Sequence, residues 1–148
     1  MKYSKTRLKD LNLKPLKIRI DGQYYTIDLK KELEINMDNL ESQLIEASFN
    51  YAILCRARDY LIKKKDLLGR EKEEAYSKAW LFYKDTNERW NNDYVSNKAN
   101  TNSKYVSLCE RHIKACERAN TLITACTAYK DRLDVLRTLN ANFRKLNT

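Results

Sequence analysis

Glycine occurs twice and proline once in 148 residues, against usual shares of roughly 7% and 5%. So few chain breakers exclude many-turned β folds. They also exclude Rossmann and P-loop nucleotide sites, where glycine lets the backbone approach phosphate. Histidine occurs once, as His112, so no mechanism that needs two imidazoles is open. G-x-S-x-G, H-E-x-x-H and Walker motifs are missing, and the chain reads as non-enzymatic. The four cysteines, Cys55, Cys109, Cys116 and Cys126, form no C-x-x-C. No apolar run approaches the ~18 residues of a membrane span. The first ten residues are too charged for a signal peptide. The expectation is a cytoplasmic protein with reduced thiols and no membrane partner.

What the chain has is charge. Charged residues make up 33% and hydrophobic residues 43%, a mix that suits long exposed helices better than disorder. Lys and Arg number 29 against 20 Asp and Glu, a net +9. Such an excess favours polyanionic partners. Residues 1–20 carry seven basic side chains and only Asp10 as an acid. Residues 37–98 are balanced at eleven of each, and residues 99–148 hold nine basic and four acidic.

Two patterns divide the chain. Residues 1–36 read as a basic arm holding a β-hairpin over about 16–28. Leu16, Ile18 and Ile20 alternate with Lys17 and Arg19, then Asp21-Gly22 supplies a tight turn before Tyr25 and Ile27 resume the alternation. Residues 37–148 read as a helical domain. Met37, Leu40, Leu44, Ala47, Tyr51, Leu54, Arg58, Leu61, Lys65 and Leu68 follow a 3-4 spacing, predicting a helix over 37–68 that Gly69 ends. A second helix is expected over 70–95, with Glu71, Glu73 and Glu74 in its first turn. The polar run from Ser96 to Ser103 reads as a loop. Tyr105, Leu108, His112, Ala115, Ala119, Leu122, Cys126 and Tyr129 restore the heptad over 103–146, as one long helix or two collinear ones. The fold class is mainly α: a long-helix hairpin or open bundle, coiled-coil-like, with a short N-terminal β-hairpin. Such a structure is expected to form a homo-oligomer.

Three constellations carry chemistry. Cys109, His112 and Cys116 share one helical face at i, i+3 and i+7. Three zinc ligands would fit that face, but no fourth is apparent, and soft side chains filling a seam are the better account. No metal or other cofactor is expected. Trp80, Tyr83, Lys84, Arg89, Trp90 and Tyr94 interleave rings with cations, as single-strand nucleic-acid surfaces do. Tyr83 and Trp90 fit a packed seam equally well, whereas Trp80 lies off that row and suits the surface. Lys63 and Lys64 belong to a basic run that either contacts phosphate or is a solvated helical turn. Lys5, Arg7 and Lys9 belong to the arm and would steer the chain toward phosphate.

The stretch Ile62 to Lys84, I-K-K-K-D-L-L-G-R-E-K-E-E-A-Y-S-K-A-W-L-F-Y-K, resembles the phage recombination mediators of the UvsY type. Ile62, Lys63 and Lys64 match the family's I-K-K element. Lys78, Ala79, Leu81 and Tyr83 match its K-A-R-L-D-Y-Y motif at the same spacing. Trp80 stands where the motif has arginine and Phe82 where it has aspartate. The family's R-G-F element has no counterpart around Arg137 to Arg144. The resemblance implies a helical, homo-oligomeric single-stranded DNA-binding protein. It would help a RecA-like recombinase displace single-strand-binding protein in DNA recombination and repair. It carries Lys78 over as a DNA contact. The alternative from the residues alone is a helical protein–protein module, an inhibitor or assembly adaptor, whose basic arm meets an acidic partner.

Overall fold

The computed structural model describes residues 15–146. Strands β1 (Leu16–Ile20) and β2 (Gln23–Ile27) pair antiparallel, with Leu16 opposite Ile27 and Ile20 opposite Gln23. Asp21 at φ 49° and Gly22 at φ 84° form the two-residue turn. Positive φ at both positions matches the right-handed twist of the strands, and Asp-Gly tolerates it. Ile18, Ile20 and Ile27 are buried on one face, as the alternation predicts.

Four helices follow: α1 (Leu29–Leu33), α2 (Leu40–Thr86), α3 (Asn92–Asn100) and α4 (Ser103–Leu146). Each start has a polar reason. Asp28 accepts the Lys31 N–H at 3.3 Å ahead of α1. Asn36 Oδ1 accepts the Asp38 N–H at 2.9 Å in the 3-10 turn that leads into α2. Asn91 accepts the Tyr94 N–H at 2.8 Å ahead of α3, and Asn102 the Tyr105 N–H at 3.2 Å ahead of α4. Side-chain oxygens thus serve the orphan amides of the first turns.

The helices differ from the sequence expectation: α1 lies inside the arm, where none is expected, α2 begins at Leu40 after a 3-10 turn, and the internal boundaries move. The helix over 37–68 does not stop at Gly69, and none begins at Arg70, because α2 runs through both. Gly69 has no positive φ, so it is not a C-cap. A methyl group there would meet His112 Nε2 at 3.2 Å, so the glycine gives an imidazole room against the backbone. The expected break after residue 95 instead falls at 87–91. It needs no glycine or proline: Asn87 accepts the Arg89 N–H at 3.1 Å, and Lys84 Nζ donates to the Trp90 carbonyl at 2.8 Å. The loop expected at Ser96–Ser103 shrinks to Thr101-Asn102.

The described residues form two compact units, a division different from 1–36 and 37–148. Unit 1 comprises the residues up to Leu54 and those from Ala125 onward; unit 2 is Cys55–Thr124. In unit 1, Tyr25, Thr26 and Ile27 of the hairpin line a small cavity with Asn50, Ile53 and Leu54 of α2. The hairpin therefore docks on its own chain. Tyr129 is buried there, stacked on Tyr51 at 6.2 Å and 8° between planes. Arg132 donates from Nε and Nη2 to the Glu34 carbonyl at 3.0 and 2.7 Å, and its guanidinium lies over the Tyr129 ring. In unit 2, Leu68, Ala75, Leu108 and Ala115 form one buried cluster, and Val95 and Ala99 bury the inner face of α3.

Candidate nucleic-acid interface

The basic residues of α4 follow a helical rule. Lys104, Arg111, Lys114 and Arg118 recur at seven, three and four residues, which places them on one face. On α2, Leu61, Lys64 and Leu68 do the same. Within unit 2 these two rows meet in a groove of about 190 Å³. Its lining residues are Leu61, Lys64, Leu68, Arg111, Lys114, Ala115 and Arg118. Leu61, Leu68 and Ala115 are buried and make an apolar floor; the four cations are exposed at the rim. No carboxylate lines it. Four positive charges over an apolar floor make a local field that favours anions, and the floor keeps the site from being merely solvated charge.

The groove continues past Arg111 into a second stretch of about 300 Å³, where Glu71, Glu74 and Lys78 face Lys104, Ser107 and Leu108. Here charge is mixed. Lys78 Nζ pairs with Glu74 Oε1 on the preceding turn. The Lys78 hydrogen bond, then its charge, hold the Glu74 carboxyl below the ordinary carboxylate value, with Lys104 adding in the same direction. One turn beyond Lys78 stands Phe82, 64% exposed. Lys64 and Phe82 are eighteen residues apart, five full turns, so they share one face of α2.

The residues singled out from sequence fall into three groups. Lys64 lines the groove and Lys78 its mixed stretch, while Lys63 is exposed beside it. Trp80 is not the surface ring expected: it is half-buried and donates its indole N–H to Ser96 Oγ at 3.2 Å, tying α2 to α3. Tyr83 is half-buried with its ring edge-on to Phe82, and Lys84 is engaged by the Trp90 carbonyl. Arg89 is exposed in the 87–91 turn. Lys5, Arg7 and Lys9 lie outside the described residues. Sequence reasoning missed Arg111, Lys114, Arg118 and Phe82. The first three carry a signal in their spacing; Phe82 carries none, since only the packing shows that Trp80 turns inward and Phe82 outward.

Cys109, His112 and Cys116 are half-buried, with Cys116 Sγ 3.6 Å from His112 Nε2. The Tyr105 phenol is pushed above its ordinary value, first by its hydrogen bond with Cys109. Among the described residues no three His, Cys, Asp or Glu side chains are placed to hold a metal ion. No helix among them is long and apolar enough to cross a membrane. Comparison with protein-family models, curated proteins and solved structures gives no match.

Proposed function

We propose that the protein binds single-stranded DNA through unit 2 and does no chemistry on it. In the setting its resemblance implies, it acts as a recombination mediator that loads a RecA-like recombinase in place of single-strand-binding protein. The groove carries this reading: Lys64, Arg111, Lys114 and Arg118 around an apolar floor, with no carboxylate among its lining residues. Arg111 to Arg118 covers two helical turns, about 10.5 Å of cation-bearing rim along which a sugar–phosphate chain can run. Exposed Phe82 on the same α2 face favours a single strand over a duplex, because only unpaired bases offer a free face for stacking.

The test is fluorescence anisotropy with single-stranded and duplex DNA of equal length across a salt series. The expected result is a salt-sensitive preference for the single strand. Lys64→Ala, Arg111→Ala and Lys114→Ala should each weaken it and lower the log–log salt slope by about 0.7. No binding at low salt would overturn the reading.

A protein-binding reading has its own observation. Ile45 and Phe49, one turn apart on α2 in unit 1, are 70% and 69% exposed. The same titration decides between them, since an adaptor is indifferent to oligonucleotide and to its displacement by salt.

A further inference from the structure

The groove has an open half and a guarded half. Arg111 lines both. Between the open half and Phe82 lie Glu71 and Glu74, facing Lys78 and Lys104. A strand that grips the four rim cations and also stacks on Phe82 must pass these two carboxylates. Glu74 is the better placed to matter, because it engages Lys78 directly and also feels Lys104. Both partners are well exposed, at 69% and 64% of their side chains. Exposed pairs of this kind are weak and exchange readily with solvent. A phosphate can therefore take the place of the Glu74 carboxylate on Lys78.

We propose that Glu74 is an electrostatic gate in the groove: it holds Lys78 in the strand-free protein and yields it to phosphate when a single strand extends toward Phe82. This rests on reading the groove as a single-stranded DNA site. The gate makes binding depend on strand length. A short strand that fills only the Lys64–Arg118 half does not meet Glu74. A longer one meets its repulsion and gains Lys78 only by displacing it. The gate therefore holds back part of the affinity that a long single strand would otherwise gain over a fragment.

The test uses the full chain and thymidine oligonucleotides of about four and about twelve nucleotides, within the range of known single-strand site sizes. Glu74→Gln should tighten the longer oligonucleotide about 3- to 10-fold and steepen its salt slope by about 0.7, the increment of one added phosphate contact. It should leave the shorter one unchanged. Lys78→Ala should weaken the longer oligonucleotide in the native background, where part of the contact is spent on displacing Glu74, and weaken it more in the Glu74→Gln background, where it should remove the whole gain. Glu73→Gln removes a charge from the same turn outside the groove lining and serves as the control. Gln and Ala are good helix formers, so the helix is kept. The gate is overturned if Glu74→Gln matches Glu73→Gln, if the gain survives Lys78→Ala, or if Lys78→Ala weakens the native protein as much as the variant. If the native protein binds neither oligonucleotide, the groove reading itself fails; if it binds and Glu74→Gln is silent, only the gate does.

Discussion

Each unit contributes eleven buried apolar residues, yet the two are built differently. Unit 1 buries two alanines among large side chains such as Ile18, Tyr129 and Leu136; in unit 2 six of the eleven are alanine. Alanine buries little area, so unit 2 depends on close approach of its elements, as the His112 imidazole against Gly69 shows. One of these alanines, Ala115, lies in the floor of the basic groove beside Leu61 and Leu68. Charge divides the same way. The described part of unit 1 holds nine basic and nine acidic side chains, whereas unit 2 holds fifteen and ten. Unit 1 uses polar groups to tie its elements together, through Arg132 on Glu34 and Tyr129 on Glu32. Both units keep most of their cations exposed, but the surplus over acids lies in unit 2. The lesson is a division of labour: one unit sets the hairpin on the helices, the other presents charge.

The largest effect that would break this comparison comes from Tyr129. Its ring is 1% exposed, stacked on Tyr51 and covered by Arg132. Tyr129→Ala should destabilise the protein by ~3–5 kcal/mol, the range for removing a buried aromatic ring. Amide hydrogen exchange should locate the loss in residues 40–54 and 125–146. An equal loss of protection in 103–118 would show that the units do not differ as described.

A smaller effect sharpens the same point through pH. Burial pushes the Tyr129 phenol above its ordinary value, and the nearby Glu32 charge adds to this. The folded protein therefore holds that proton more tightly than the unfolded chain. The stabilisation is full below the ordinary tyrosine value of 10.0 and is lost as pH rises through the raised folded value. Unfolding by urea should show stability falling above about pH 10. Tyr129→Phe keeps the ring but loses the 3.5 Å hydrogen bond to Glu32. It should cost ~0.5–1 kcal/mol at neutral pH and flatten the alkaline slope. The slope that remains belongs in part to Tyr105, whose phenol Cys109 also raises. An unchanged slope in Tyr129→Phe would remove Tyr129 as its cause.

Periodicity made the seams legible. Leu40, Ala47, Leu54, Leu61, Leu68 and Ala75 recur every seven residues and are all buried. The hairpin was legible because Asp21-Gly22 has a backbone requirement that few dipeptides meet. Local rules failed where a distant partner decides. Trp80 lies off the apolar row, but Ser96, sixteen residues away, draws its indole N–H inward. The break at 87–91 comes from asparagine side chains and Lys84, not from the glycine and proline that usually mark one. Of the candidate site, Lys64 was legible as part of a charge run. That it faces Arg111, Lys114 and Arg118 was not, because a groove between two helices is written in neither helix alone.

Gly69 gives the smallest effect and the most direct test of close approach in unit 2. In a helix interior, Gly→Ala ordinarily gains ~1 kcal/mol. At Gly69 the added methyl meets His112 Nε2 at 3.2 Å, a few tenths of an ångström too near. His112 is half-buried and has some room to shift. Gly69→Ala alone should therefore gain less than the full ~1 kcal/mol. With His112→Ala as background the obstacle is gone, and the same substitution should recover it. Chemical denaturation of the four proteins in this cycle isolates the coupling between the two positions. A positive coupling ties the glycine to the imidazole. Equal gains in both backgrounds would mean that position 69 is an ordinary solvent-facing helical site, and that unit 2 does not need the close approach its alanines suggest.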